Sequence, residues 1–197
     1  MPKQRITKEM VVEAAFEAAR SGGMEQITVK GLAEKLGCSV QPIYSYCESM
    51  EGLRQDVIRR VKRFVREYAA ERANPQEPFR SIGQAYVTLA KDEPHLFKIF
   101  ILHQRNGISS LDDLYREEAD RNMAKRLAEE LRIGREEARQ LHLQMLIYTI
   151  GLGAIFSMTS PGISTDEIFA QQEKAYRAFL EQAKRDRQEQ EQKGGFA

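Results

Sequence analysis

The sequence predicts an all-α protein with about nine helices. Apolar residues recur at three- and four-residue spacing from Met10 to Phe179, which is the period of a helix with one buried face. Period-two alternation, which marks a half-buried strand, is not sustained in the sequence. With 197 residues, of which 42% are apolar, the chain can bury a sizeable core. We therefore expect packed helices throughout.

Helix start and stop signals divide the chain into these helices. A serine or threonine oxygen can cap the first turn of a helix, whereas glycine and proline end one. The candidate caps are Thr7, Thr28, Ser39, Ser49, Ser110 and Ser164, the last of which forms a capping box with Glu167. The stop signals are Gly22-Gly23, Gly37, Asn74-Pro75 and Pro161-Gly162.

These signals predict helices near 7–21, 28–36, 40–46, 49–73, 78–91, 93–104, 110–131, 135–158 and 165–185. The polar residues 186–197 have little to bury and are expected to form a flexible tail.

The second and third predicted helices have the spacing of a helix-turn-helix, with Gly37 in the turn. Five residues are expected to form an apolar seam between them: Leu32, Ala33, Leu36, Val40 and Ile43. Phe16 and Ile27 are expected to pack beneath this seam. The short third helix would then carry its remaining side chains outward.

Those remaining side chains are Gln41, Pro42, Tyr44, Ser45 and Tyr46. Two tyrosines on the exposed face of a short helix favour a binding surface over a core. Gln41 can donate and accept at a base edge, Tyr44 can bind a phosphate, and Pro42 can contact a thymine methyl. This pattern indicates a helix that reads double-stranded DNA.

Phosphate contacts are predicted at the starts of the same two helices. The backbone amides at Thr28 and Ser39 lie at the positive ends of helix dipoles, and Lys30 adds charge beside the first. Lys3 and Arg5 precede the first helix in an arm that can reach an adjacent groove. A solvated terminus remains the alternative for this arm.

Residues 6–55 resemble the N-terminal signature of the TetR (tetracycline-repressor-like) family of repressors. The matching positions are Thr28, Leu32, Ala33, Gly37, Ser39, Ile43, Tyr44, Tyr46 and Leu53. The resemblance implies a helix-turn-helix DNA-binding domain over 1–48 and a ligand-binding and dimerisation domain over 49–185. It also implies a homodimeric repressor that a small molecule releases from its operator, and no enzymatic activity.

Two positions depart from the family pattern. Cys47 stands where phenylalanine is usual, and Met50 stands where a lysine typically binds a phosphate. We expect Arg54, one turn further along the helix, to compensate for Met50; the backbone amides behind Ser49 are the alternative phosphate contact. The predicted DNA contacts are therefore Lys3, Arg5, Thr28, Lys30, Ser39, Val40, Gln41, Pro42, Tyr44, Ser45, Tyr46 and Arg54.

The helix predicted over 135–158 is apolar nearly all round, so it must be buried on several sides. Gly151 and Gly153 within it favour close approach of another helix. In the plan implied by the family, this helix and residues 165–185 pair with their symmetry mates in a dimer. A neighbouring helix of the same chain is the alternative partner.

Polar and aromatic residues within apolar helical stretches are the candidates for an effector pocket. They are Tyr86, Phe97, Phe100, His103, Gln104, Tyr115, Met123, His142, Met145, Tyr148 and Phe156. Side chains of this kind at helical spacing also serve as plain core. The preponderance of aromatic and aliphatic residues favours an apolar or amphipathic effector of unknown identity.

Composition excludes several other classes of protein. The net charge of +1 argues against a nucleic-acid coat protein, while it allows a local basic surface. The sequence has no run of about 18 apolar residues, the length that a membrane helix needs. Cys38 and Cys47 are too far apart for a C-x-x-C motif and too few for a disulfide framework, which favours packing in a reducing compartment. A cytoplasmic protein is expected.

An enzyme is the main alternative from another class. His95, His103 and His142 lack a metal-ligand spacing, and no nucleophile elbow or phosphate loop is present. The sequence predicts no metal and no cofactor. A DNA-binding regulator without a small-molecule inducer remains a third interpretation.

Overall fold

The computed structural model describes residues 6–47, 49–119, 122–159 and 162–194, and these residues form helices without any strand. The helices are α1 (Lys8–Gly22), α2 (Val29–Leu36), α3 (Val40–Tyr46), α4 (Met50–Glu71), α5 (Pro78–Asp92), α6 (Pro94–Leu102), α7 (Leu111–Glu118), α8 (Met123–Leu131), α9 (Arg135–Met158) and α10 (Thr165–Gly194). A 3-10 turn over Met24–Gln26 joins α1 to α2. The all-α prediction is confirmed.

Two predicted helix boundaries differ from the structure. The helix predicted over 110–131 is two helices, because α7 ends at Glu118, the following Ala119 is extended, and α8 begins at Met123. The last helix was predicted to end near residue 185, whereas α10 continues to Gly194. The break after α7 contains no described glycine or proline, so no stop signal of the kind used for the other helices predicts it.

The helices divide into two compact units. Unit 1 comprises Met1–Arg72 with Leu89–His103, and unit 2 comprises Ala73–Thr88 with Gln104–Ala197. Unit 1 therefore includes α4 and α6 together with the predicted DNA-binding head. The boundary predicted at residues 48/49 separates the DNA-binding domain from the ligand-binding domain, and the boundary at 185/186 separates that domain from a flexible tail. Both stay predictions.

In unit 1, α1 packs against α2, α3, α4 and α6. Its buried face carries Val11, Ala15 and Phe16, all at most 1% exposed. Arg60 of α4 lies over the Phe16 ring, 4.3 Å from its centroid, and its Nε donates to Glu13 at 2.9 Å. The buried face and this ion pair fix α1 against α4.

In unit 2, α9 packs against both α8 and α10. One side of α9 is buried through Leu141, Met145, Thr149, Gly153 and Phe156. The helix is also long and apolar enough to cross a membrane by length and composition, with a mean hydropathy of 1.5 over its most apolar window. A core helix of a folded domain passes the same test, so this property carries little weight alone.

Candidate nucleic-acid interface and ligand site

The helix-turn-helix is built from a capped helix and a glycine turn. The Thr28 hydroxyl accepts a hydrogen bond from the Gly31 N–H at 3.1 Å and so caps α2. Gly37 ends α2 in the left-handed region, with φ of 61°, and its N–H bonds back to the last turn. This conformation costs least for glycine, and it sets the angle at which α3 leaves the turn.

The seam between α2 and α3 is sealed by fewer residues than predicted. Leu32 and Ile43 are each 1% exposed and Ala33 is buried, while Ile27 packs beneath them at 3%. Val40 is 45% exposed, so its predicted place in the seam is wrong. Val40 is the first residue of α3 and lies at the surface, where a DNA contact was also predicted.

The outward face of α3 carries the predicted base-reading residues. Tyr44 is 58% exposed, and Gln41 and Ser45 are also exposed. Pro42 and Tyr46 are half-buried. The Ser45 hydroxyl donates to the main-chain carbonyl of Gln41 at 3.0 Å, one helical turn before it.

Ser39 occupies the N-cap position of α3, as predicted, but its side chain makes no capping hydrogen bond. Thr7, Thr28, Ser49, Ser110 and Ser164 do accept such bonds. The first-turn amides of α3 are consequently not bonded by the Ser39 side chain.

The start of α4 presents the residues that depart from the family pattern. Ser49 caps the helix by accepting from the Gly52 N–H at 3.0 Å, Met50 is half-buried, and Arg54 is exposed. Lys30 is exposed at the start of α2. Lys3 and Arg5, the predicted arm, lie outside the described residues.

Cys47, the second departure, is buried directly after α3, at 5% exposure. Burial and the nearby Asp56 carboxylate raise the pKa of its thiol. A thiol with a raised pKa is a poor nucleophile at neutral pH, which agrees with a packing role. Burial raises the pKa of Asp56 itself, but hydrogen bonds from Lys8 and Arg59 outweigh this effect and lower it.

The predicted ligand residues are distributed over both units. Phe97, Phe100 and His103 belong to unit 1, where both phenylalanines are buried. The other candidates belong to unit 2: Tyr86, Gln104, Tyr115, Met123, His142, Met145, Tyr148 and Phe156. Gln104 is exposed, and Met123 and Tyr86 are half-buried.

Unit 2 brings Tyr115 and His142 together, and adds two aromatic rings that sequence reasoning missed. The Tyr115 hydroxyl and His142 Nδ1 share a hydrogen bond of 3.0 Å. The Phe79 ring meets the His142 ring edge to face, with 5.6 Å between the centroids. The centroid of the Phe79 ring also lies 5.9 Å from that of the tilted Tyr176 ring. We refer to these four side chains as the aromatic cluster. The signal for Phe79 and Tyr176 was their place on apolar helix faces.

Three solved structures share this fold. A TetR-like transcriptional regulator from Rhodococcus sp. RHA1 matches with a TM-score of 0.61 and 13% identity, over 88% of this chain and 94% of that chain. A second transcriptional regulator from Rhodococcus sp. RHA1 gives 0.59 and 14%, over 90% and 98%. A chain described as a possible TetR family transcriptional regulator from Streptomyces coelicolor A3(2) gives 0.56 and 14%, over 92% and 100%. The fold is that of a TetR-like transcriptional regulator.

No family model matches the sequence, and no curated protein matches it in sequence. The TetR-like likeness therefore lies in the fold, and it covers most of each chain. This confirms the predicted resemblance at the level of architecture, including a helix-turn-helix head followed by a helical body.

Within this TetR-like fold, His142 makes stability depend on pH. Burial lowers the pKa of His142 from 6.5 to about 4. As the pH falls, the unfolded chain takes up a proton at His142 near pH 6.5, whereas the folded chain does so only near pH 4. The contribution of His142 to the free energy of unfolding is therefore fully present above pH 6.5 and is lost as the pH falls toward 4. Between pH 7 and 4.5, we expect wild type to lose about 2 to 3 kcal/mol more than His142→Gln in urea denaturation. Equal losses would contradict a buried neutral imidazole.

Proposed function

We propose that this chain is a cytoplasmic, homodimeric transcription repressor that binds operator DNA and is released from it by a small-molecule effector. The observation that carries the DNA-binding part is the exposed polar and aromatic face of α3 above a sealed seam. Tyr44 at 58% exposure has no packing role that explains it, while Ile43 beside it is 1% exposed. A helix held this firmly by one face presents the other as a rigid reading surface.

The fold supports a regulator and gives no support to an enzyme. The three solved structures that share the architecture are all described as transcriptional regulators, two of them as TetR-like or possible TetR family members. Among the described residues, no group of three or more histidine, cysteine or acidic side chains is arranged to hold a metal ion. We accordingly propose no catalytic role for His142, whose surroundings are aromatic.

Phosphate binding at the start of α4 is the part of the proposal that Met50 puts in question. Arg54 lies exposed one turn further along, where it can reach a phosphate in place of the usual lysine. Each phosphate contact releases about one counterion, so its loss makes binding less dependent on salt.

Arg54→Ala is expected to weaken binding to specific and scrambled duplexes alike and to reduce the salt slope by about 1. Fluorescence anisotropy titrations at several salt concentrations would measure both quantities. Arg63→Ala is the matched control, because Arg63 is exposed on the same helix more than two turns away. An unchanged slope for Arg54→Ala would exclude Arg54 as a phosphate contact.

Dimerisation is supported by the exposed side of α9. Ile147, Ile155 and Met158 are 50%, 54% and 70% exposed, although they are large and apolar. Gly151 lies between them on the same helical stripe, and a Cβ built on it meets nothing within 4 Å. An apolar stripe with a glycine at its centre allows another helix to approach closely, and a second copy of the chain is the occupant we propose.

A dimer also suits the reading of DNA. A single α3 of seven residues can contact few bases, whereas the two α3 helices of a dimer contact two successive major grooves and so about twice as many bases. Their centres should then lie about 34 to 36 Å apart.

The effector is proposed to bind in unit 2. A ligand can release DNA only if it binds the DNA-incompetent arrangement more tightly than the DNA-bound one. A compound that both raises the melting temperature and lowers the fraction of DNA bound would support this role. A regulator whose DNA binding no compound alters would be a repressor without a small-molecule inducer.

A further inference from the structure

The exposed face of α3 divides into a polar stripe and an apolar stripe. Side chains four positions apart in a helix lie on the same side of it, one turn apart. Gln41 and Ser45 form the polar stripe, and Val40 and Tyr44 form the apolar stripe beside it. All four residues are exposed, whereas Ile43 is 1% exposed. The recognition helix therefore offers two kinds of surface chemistry side by side.

Val40 is the member of the apolar stripe that packing within the chain does not explain, since it is 45% exposed. Single apolar side chains are ordinary on a protein surface. Val40 differs because it is the first residue of the helix that is proposed to enter the major groove. In a helix-turn-helix, the residues at the start of that helix contact the base edges. A contact with DNA would bury the Val40 side chain.

The chemistry of valine selects one feature of the major groove. Its side chain has no donor and no acceptor, so it cannot read the hydrogen-bonding pattern of a base edge. Of the four bases, thymine alone presents an apolar group in the major groove, the methyl group on C5. Contact between this methyl group and a hydrocarbon side chain removes apolar surface of both from water.

Pro42 was also predicted to contact a thymine methyl, but it lies on another side of α3. Two residues along a helix correspond to a rotation of about 200°, so Val40 and Pro42 occupy nearly opposite sides. Pro42 is half-buried, while Val40 is exposed next to Gln41. Val40 is therefore better placed than Pro42 to reach a base pair beside the one that Gln41 reads.

The charges around α3 suit a nucleic acid. Residues 40–46 include no acidic side chain, and Lys30 and Arg54 are exposed in the first turns of α2 and α4. Glu51, an exposed carboxylate in the first turn of α4, accepts a hydrogen bond from Gln55 at 2.9 Å. Positive side chains beside α3 complement phosphates, which fix the position of a protein on the duplex. Discrimination between base pairs is then left to α3.

We propose that Val40 determines operator specificity by packing against the C5 methyl group of a thymine, in the half-site in which Gln41 reads a neighbouring base pair. This inference rests on the proposed function, because it assigns one base contact within the proposed DNA interface. Burial of one methyl group corresponds to a discrimination of about 3- to 10-fold per half-site. Two half-sites together give about 10- to 100-fold, because separate positions contribute nearly independently.

The first experiment removes the methyl group from the DNA and keeps its hydrogen-bonding groups. The probe is the promoter segment that the full-length wild-type protein protects from nuclease, with deoxyuridine replacing thymidine at one symmetric pair of positions at a time. Competition anisotropy measures each affinity. We expect one pair to lower the affinity of wild type by about 10- to 100-fold. Unchanged affinity at every pair would overturn the proposal.

The second experiment removes the methyl groups from the protein. Val40→Ala should bind the thymine and deoxyuridine operators equally, with about the affinity of wild type for the deoxyuridine operator. Val40→Ile keeps a branched hydrocarbon side chain and should keep a preference for thymine. Because Val40 is exposed, neither change should alter the fold, and circular dichroism checks this. A full preference for thymine in Val40→Ala would overturn the proposal.

Three further variants test whether the preference for thymine belongs to Val40. Leu111→Ala is the matched control, because Leu111 is an apolar residue 59% exposed at the start of α7 in unit 2. Pro42→Ala should also keep the preference. Tyr44→Ala should weaken binding to the thymine and deoxyuridine operators alike, since its hydroxyl is proposed to bind a phosphate. A preference that is lost in Pro42→Ala or Tyr44→Ala and kept in Val40→Ala would overturn the proposal.

The measurements on wild type separate this inference from the proposed function. Sequence-preferring binding with equal affinity for the thymine and deoxyuridine operators would leave the regulator in place and overturn the role of Val40. Binding without any sequence preference would contradict the proposed function, and the contact of Val40 with thymine would be overturned with it.

Discussion

Gln41→Ala is expected to lower affinity for the operator by about 1 to 3 kcal/mol while leaving affinity for a scrambled duplex nearly unchanged. Gln41 is exposed on α3, and its amide can both donate and accept at a base edge. The backbone on which it stands is held by Ile43, which is 1% exposed. Removing the side chain should therefore delete a base contact without moving the helix. Competition titrations with the two duplexes measure both affinities.

Tyr44→Ala is expected to weaken binding to both duplexes, since Tyr44 is 58% exposed on the same face and its hydroxyl is predicted to bind a phosphate. Gln84→Ala provides a matched control, because Gln84 is exposed on α5 in unit 2 and should leave both affinities unchanged. Equal losses on operator and scrambled DNA for Gln41→Ala would mean that α3 binds the DNA backbone and reads no bases.

The second large effect is expected from Ile155→Lys, which places a charge in the exposed apolar stripe of α9. Ile155 is 54% exposed in the single chain and lies one turn from Gly151. If a second copy covers the stripe, the lysine must lose its hydration there, and the dimer should dissociate. Because both half-sites are then no longer held together, operator affinity should fall by about 100-fold or more.

Analytical ultracentrifugation gives the oligomeric state of Ile155→Lys, and circular dichroism checks that its helices persist. Leu111→Lys is the matched control, because Leu111 is similarly exposed, at 59%, at the start of α7 and outside the stripe. It should remain dimeric. A dimeric Ile155→Lys with unchanged DNA affinity would place the interface elsewhere.

The sequence predicted the head well because its signals are local. Gly37 marks the turn, Thr28 and Ser49 mark helix starts, and the apolar period identifies Leu32 and Ile43 as core. Each of these features depends on a few neighbouring residues. Val40 was misplaced in the seam because a residue in the first turn of a short helix satisfies the apolar period and still points outward.

The body was harder to predict because its arrangement depends on long-range packing. The break between α7 and α8 has no glycine or proline among its described residues, so the local signals used for the other helix ends do not predict it. Gln172 and Thr149 are polar and were not recognised as interior. Gln172 nevertheless lies four residues from Ile168 and from Tyr176, both buried, so helical periodicity alone assigns it to the buried face of α10.

The central claim is that this protein binds DNA with sequence preference through its helix-turn-helix. Fluorescence anisotropy titration against the promoter region of its own gene, beside a scrambled duplex of equal length and over several salt concentrations, tests it most directly. We predict tight, salt-dependent binding to the promoter fragment and at least about 1,000-fold weaker binding to the scrambled duplex. Equal weak binding to this fragment, to other upstream fragments of the genome and to the scrambled duplex would contradict the claim.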